Sequence, residues 1–310
     1  MTIKLYHSDR YFADIGNHVM PIRKFGLVRA AIENETNDVS IEAPEPVTDE
    51  DLLRVHTAEY VQAIATGEPK TLAESQKFPW SKALAESVRH TNGGCIAALR
   101  TALREGIAGN IASGFHHSHR TRGEGYCTFN GLVIAMERLR HESHPNLRTL
   151  VLDMDLHYGN GTAYLLAEGR PWAHQLSIYG NFYKNNLAVR DVTLERADDT
   201  ENCTSIPVLN GSNGEVYLNI LKTSFPAAIE RAKPDVVLFQ AGADPYREDP
   251  YSPLDLTHED LRARDTFVFE TCKSKGIPVM WVLAGGYTPD VSKVVEVHVN
   301  TFRAAVGVFG

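Results

Sequence analysis

Residues 148–162, Arg-Thr-Leu-Val-Leu-Asp-Met-Asp-Leu-His-Tyr-Gly-Asn-Gly-Thr, form an apolar run that ends in polar side chains at every second position, Asp153, Asp155 and His157. On an extended strand, side chains two apart share a face, so this spacing predicts that all three point the same way. Two carboxylates and an imidazole at a buried strand end are costly unless partnered, and a divalent cation is the simplest partner. A hydrogen-bonded polar strand end is the alternative, and the rest of the chain has to decide between them.

Outward from this stretch the chain alternates regularly. Strands are expected at 109–113, 148–155, 174–179, 235–241 and 278–284, and helices at 130–141, 161–167, 215–232, 258–275 and 290–305. Val-Val-Leu-Phe (236–239) and Val-Met-Trp-Val-Leu (279–283) are apolar throughout, as strands covered on both faces must be. Thr257 with Asp260 three residues later forms a capping box for the helix at 258. Upstream, a first strand is expected at 3–8, a helix at 22–33 behind Pro21, a loop at 34–50 and a short helix over Ala58–Ala65. A long helix at 81–104 is interrupted by Gly93-Gly94. Alternating strands and helices give an α/β fold, a mainly parallel sheet between two layers of helices. No repeat or linker appears, so residues 1–310 are expected to be one domain.

The composition excludes several functions. The net charge of −8 and the lack of any Lys/Arg run argue against a nucleic-acid or anionic-membrane surface. No segment approaches the ~18 apolar residues of a membrane span, and the first residues carry no signal-peptide stretch, which suggests a cytoplasmic protein. Cys95, Cys127, Cys203 and Cys272 lie far apart, form no C-x-x-C pair and suit reduced thiols.

In a parallel α/β sheet the working groups collect where strands end and loops emerge. Four expected strands end unusually: in Gly114-Phe115-His116-His117, in Asp153 to His157, in Gly242-Ala243-Asp244 and in Gly285-Gly286-Tyr287. His116 and His117 are adjacent, so only a turn lets both enter one cleft. Asp244 follows a wholly apolar strand and, with Asp155 and His157, completes a two-carboxylate, one-imidazole set. Three protein ligands with an open position are what a catalytic zinc keeps.

These residues resemble a known family. His116-His117, Gly125-Tyr126-Cys127, Asp153-x-Asp155-x-His157-x-Gly159-Asn160-Gly161, Gly242-x-Asp244 and Gly285-Gly286-Tyr287 occur together, in order, in the zinc-dependent histone deacetylases and their bacterial relatives of the arginase–deacetylase fold. The Phe-His-His form, Asn160 and the short chain look most like the class IV branch. The resemblance implies that Asp155, His157 and Asp244 bind zinc, that Asp153 orients His116 and Asn160 orients His117, and that Tyr287 faces the metal across the cleft. It implies a tunnel for an acylated lysine or amine, lined by Gly125 and Tyr126, with Gly285 and Gly286 letting the backbone turn beside it and Phe182 as the opposite wall. It also implies a potassium ion held at Asp153, Asp155, His157, Ser177 and Ile178. His18, ahead of Pro21 and Lys24, would sit near the tunnel mouth.

The chemistry agrees with those roles. Zinc polarises an amide carbonyl and activates water, and a neutral His117 can act as general base. Asn160 carries no charge, so it should raise the proton affinity of His117 less than Asp153 raises that of His116. Two other functions compete. A binuclear manganese ureohydrolase of the same fold needs a further carboxylate two residues before Asp244, where this chain has Gly242. A silent acetyl-lysine binding module would lack a ligand or Tyr287, and none is lacking. The acyl length, and whether the substrate is an acetylated lysine peptide or a small acylated amine, are left open.

Overall fold

The apolar stretches become strands because, in a sheet covered on both faces, every side chain is inside. The computed structural model describes residues 2–36, 39–184, 187–189, 197 and 199–310. Its first elements are β1 (Ile3–Tyr6), α1 (Lys24–Glu35), β2 (Val39–Glu42), α2 (Asp49–Leu53), α3 (Ala58–Thr66), α4 (Lys70–Ala73), α5 (Lys82–Glu105) and β3 (Ile107–Ser113). Then come α6 (Gly131–Glu142), β4 (Thr149–Asp153), α7 (Asn160–Ala167), β5 (Ala173–Tyr179), β6 (Phe182–Lys184), β7 (Leu187–Val189) and β8 (Cys203–Pro207). The chain finishes with α8 (Gly214–Ala232), β9 (Val236–Ala241), α9 (His258–Ser274), β10 (Val279–Leu283) and α10 (Val291–Phe309).

Eight strands pair in the order β2-β1-β3-β10-β9-β4-β5-β8, all parallel, while β6 and β7 form a separate antiparallel hairpin. Every residue of β3, β4, β9 and β10 is buried. The α/β architecture read from the sequence is therefore present. Parallel neighbours require crossovers, and the helices that provide them cover the sheet.

Two edge strands escaped the sequence. The expected loop at 34–50 contains β2 and the start of α2, and β8 lies where no strand was expected. Both are short and half polar, Val-Ser-Ile-Glu and Cys-Thr-Ser-Ile-Pro, and an edge strand has one neighbour rather than two. Gly93-Gly94 does not interrupt α5. A Cβ on Gly93 would lie 1.9 Å from the Glu45 carbonyl oxygen and one on Gly94 2.1 Å from the Tyr11 hydroxyl, so close packing outweighs the ~1 kcal/mol of helix propensity each glycine gives up. The capping box on α9 is formed, with the Thr257 N–H donating to Asp260 Oδ2 (2.9 Å) and the Asp260 N–H donating to Thr257 Oγ1 (3.2 Å).

The strand order positions the site. The chain leaves β3 and reaches β4 through α6, and only later do β9 and β10 fill the gap between them. The four strands with unusual ends are thus consecutive neighbours, and their carboxyl ends face one crevice. Among the described residues no helix is long and apolar enough to cross a membrane.

Candidate metal and catalytic centre

β4 stops at Asp153, two residues earlier than expected. The Asp155 N–H donates to Asp153 Oδ1 (3.2 Å) and the His157 N–H to Asp155 Oδ1 (2.9 Å), so aspartate side chains curl the backbone out of the strand. An extended backbone sharing one face is therefore not what gathers these side chains. The bend sends Asp153 toward His116, whose Nδ1 lies 2.8 Å from Asp153 Oδ2, and Asp155 and His157 toward Asp244. Asp244 Oδ1 accepts from the Leu156 N–H (2.9 Å) and Asp155 Oδ2 from the Gly285 N–H (2.7 Å), which stitches the ends of β4, β9 and β10 together.

Asp155, His157 and Asp244 are buried and offer donor atoms within 4.8 Å of one another. His157 Nδ1 lies 3.2 Å from Asp155 Oδ1 and 3.1 Å from Asp244 Oδ2. Burial opposes a charged imidazole, yet the two carboxylates outweigh it and raise the pKa of His157 to about 10. Burial, and next the nearby Asp155, push Asp244 up to about 7. The space between these groups favours positive charge. No bulk competes for it: a Cβ on Gly285 would stand 1.9 Å from Asp244 Oδ2, and one on Gly242 2.6 Å from the Asp155 Cα. This donor set can hold a metal ion.

The histidine pair sits at a turn, as its adjacency requires. Phe115 has φ +60°, a left-handed conformation that a residue with a side chain adopts at a cost, and the turn it starts brings the His116 and His117 rings to 4.0 Å. The opening of α7 packs beneath them, and a Cβ on Gly161 would strike the His117 carbonyl carbon at 2.4 Å. Asn160, the first residue of α7, places Oδ1 2.6 Å from His117 Nδ1. The two imidazoles differ as expected. Burial opposes charge on His116, but Asp153 and then Asp155 outweigh it and its pKa is raised. Burial, then the neighbouring His116 and His157, hold His117 well below the usual range.

Gly125 and Tyr126 occupy the centre of a tight turn, with φ +53° and +63°, closed by the Cys127 N–H donating to the Glu124 carbonyl (2.8 Å). Tyr126 stacks on Phe78 (5.6 Å between ring centroids) and meets His18 edge-on (4.9 Å). Phe182 does not form the opposite wall. It stacks on Tyr158 (5.8 Å), and the ring over His117 is its neighbour Tyr183, at 4.2 Å. Tyr183, Tyr251 and Tyr287 all lie near His157, with centroids 5.7, 6.2 and 6.2 Å away. Gly286, at φ +138°, leads into Tyr287, whose N–H donates to Asp249 Oδ2 (2.7 Å). Burial, then Asp244 and Asp155, push the Tyr287 hydroxyl pKa well up, which keeps it a donor. Ser177 faces Asp153 across β4 and β5, its Oγ is buried, and among the described residues that atom has no hydrogen-bond partner; Ile178 follows it in β5.

Several neighbours carried no sequence signal. Lys24 is fully buried, its Nζ donates to the Ala284 carbonyl (2.5 Å), and burial lowers its pKa to about 8. Asp249 and Tyr251 lie in an irregular stretch after Asp244. Glu124 sits beneath Asn160. None belongs to a spacing that reading the chain could isolate.

The comparisons agree with this geometry. The chain resembles an uncharacterized protein of Picosynechococcus sp., 28% identical over 98% of both chains, and a protein named probable deacetylase from Methanothermobacter thermautotrophicus, 30% identical over 92% of this chain and 86% of that one. A histone deacetylase-like amidohydrolase of Pseudomonas aeruginosa is 28% identical over 82% of this chain and 67% of its own. The solved HDA15 HD domain superposes with a TM-score of 0.81 at 18% identity, covering 99% of this chain and 90% of that one, which shows a shared fold. The histone deacetylase domain profile matches residues 18–302, and the chain belongs to the histone deacetylase domain family.

Proposed function

We propose that the protein is a zinc-dependent deacetylase that hydrolyses the amide of an acetylated lysine or small acetylated amine. The observation that carries this reading is a pair of unequal imidazoles, one tied to a carboxylate and the other to an amide, side by side next to a buried Asp-His-Asp donor set. Asp155, His157 and Asp244 would hold the zinc ion, which when bound supplies Lewis acidity for the amide carbonyl and lowers the pKa of water. His117 donates its Nδ1–H to Asn160 Oδ1, so Nε2 is left to take the proton of the attacking water and pass it to the leaving amine. His116, whose proton affinity Asp153 raises against the cost of burial, and the Tyr287 hydroxyl favour the oxygen that becomes negative as the amide carbon turns tetrahedral. Tyr126 and Tyr183 flank the approach and suit a methylene stem.

The cavity bounded by Met20, Phe115, His116, His117 and Tyr287 is about 20 Å³. That is on the order of a single water-sized group. The net charge of −8 suits a cationic substrate. The orphaned Ser177 Oγ supports a potassium ion at Asp153, Asp155, His157, Ser177 and Ile178. Among the described residues the Asp-His-Asp group is the one cluster of three such donors, which favours one metal over the two of a ureohydrolase.

The test is acetate release from an acetyl-lysine peptide and from an N-acetylated polyamine, with and without chelator, alongside the metal content. Chelator-sensitive release with one zinc per chain is expected, and the faster substrate identifies the class. Faster release of an octanoyl group would overturn the acetyl preference, and two manganese ions with urea formation would overturn the reading itself.

A further inference from the structure

An asparagine is an unsafe partner for a catalytic histidine. Its amide can present either oxygen or nitrogen, and the two ends demand opposite tautomers of the imidazole. With Oδ1 toward His117, Nδ1 carries the hydrogen and Nε2 is free to accept a proton. With Nδ2 toward His117, Nδ1 becomes the acceptor, Nε2 carries the hydrogen, and the base is lost. Something must hold the amide in one sense.

That group is Glu124. It is 1% exposed, and its Oε1 accepts from Asn160 Nδ2 at 3.2 Å. Its Oε2 accepts from an Arg122 guanidinium nitrogen at 3.0 Å and lies 3.1 Å from His119 Nε2. A carboxylate has acceptor positions only, so the Asn160 NH₂ must face it and Oδ1 must face His117. The tight turn at Gly125 and Tyr126 makes this reach possible, because it presents Tyr126 to the approach while the residue before it turns inward beneath Asn160. We infer that Glu124 is a positioning residue that fixes the Asn160 amide and thereby selects the His117 tautomer with a free Nε2. Class and spacing could not reveal it, because Glu124 touches neither the metal donors nor the approach to them.

The inference rests on His117 being the base, and the test separates the two claims. In Glu124→Gln the side chain keeps its size but has one acceptor. Arg122, which can only donate, claims the glutamine oxygen and leaves the NH₂ toward Asn160, whose amide then reverses. Imidazole ¹⁵N NMR of labelled protein reads the tautomer directly. Nδ1–H is expected for His117 in the parent and Nε2–H in Glu124→Gln, with kcat lower by about 10- to 100-fold and KM little changed.

The exchange Glu124→Gln with Asn160→Asp restores the pattern, because an aspartate accepts from both sides. It is expected to return Nδ1–H but not the full kcat, because a carboxylate on Nδ1 also raises the proton affinity of His117. If Glu124→Gln does not fold, Glu124→Ala carries the test, and a His117 that stays wholly Nδ1–H in it overturns the inference. A Glu124→Gln protein that keeps Nδ1–H overturns it too, whether kcat falls or not. If the parent releases no acetate, the deacetylase reading fails while the tautomer comparison still decides the role of Glu124.

Discussion

At the scale of single residues, the site depends on side chains that are absent as much as on those present. Gly125 has φ +53°, and a Cβ there would lie 2.4 Å from His117 Cδ2. Gly125→Ala is expected to displace His117 and lower kcat while the thermal midpoint falls modestly, checked by acetate release and calorimetry. Gly285→Ala places a methyl 1.9 Å from Asp244 Oδ2 and 2.8 Å from Asp155 Oδ2. Zinc content by elemental analysis should fall well below one per chain, and stoichiometric zinc in that variant would remove the donor set. Tyr287→Phe keeps the ring against Tyr251 but removes the donor. Such donors are typically worth about 2.7–4 kcal/mol, so kcat should drop by about 10²–10³ with zinc retained.

At the scale of elements, α9 fastens the strand ends from behind. The Arg264 guanidinium, fully buried, donates to the Gly242 carbonyl (2.7 Å), to the Met154 carbonyl (3.3 Å) and to Asp265 Oδ1 (2.7 Å). Asp265 in turn accepts from Thr301 Oγ1 of α10 at 2.6 Å. The helix thus grips β4 and β9 where Asp155 and Asp244 leave them. Removing one partner of a buried pair strands the other, typically at about 3–5 kcal/mol, so Arg264→Met should lose stability on that order. Adding Asp265→Asn should recover part of the loss in guanidinium melts, and equal losses in the single and double variants would refute the pairing. The hairpin β6 and β7 is the element that exchanged the expected wall, because a shift of one residue along a strand moves the next ring to the other face.

At the scale of the whole molecule, buried neutral histidines take stability away in acid, while the raised pKa of Asp244 works in the opposite direction. Burial lowers His56 to about 3 and His7 to about 4, and it holds His298 well below its usual 6.5. A folded state that refuses protons the unfolded chain accepts is most stable above about pH 6.5 and loses stability as the pH falls toward the folded values. His56, at about 3, should by itself remove about 2 kcal/mol between pH 7.5 and pH 5. His298 is 1% exposed, and among the described residues neither ring nitrogen has a hydrogen-bond partner. His298→Leu is therefore expected to raise stability at pH 7.5 and to shrink the difference between the two pH values, measured by denaturant unfolding at each. An unchanged difference would refute the assignment.

Much of this could be read from the chain because it is local. Apolar runs covered on both faces announce β4, β9 and β10, a capping box announces α9, and polar residues at strand ends announce Asp155, His157, Asp244 and the histidine pair. Period and composition are properties of neighbours in sequence. The edge strands β2 and β8 were invisible because a strand with one partner needs no continuous apolar run. Tyr183 rather than Phe182 over His117, Lys24 under Ala284, Asp249 on Tyr287 and Glu124 beneath Asn160 were set by folding alone. Each faces a partner far along the chain or across a turn, and side-chain direction and hydrogen-bond sense exist only once the backbone has brought those partners together.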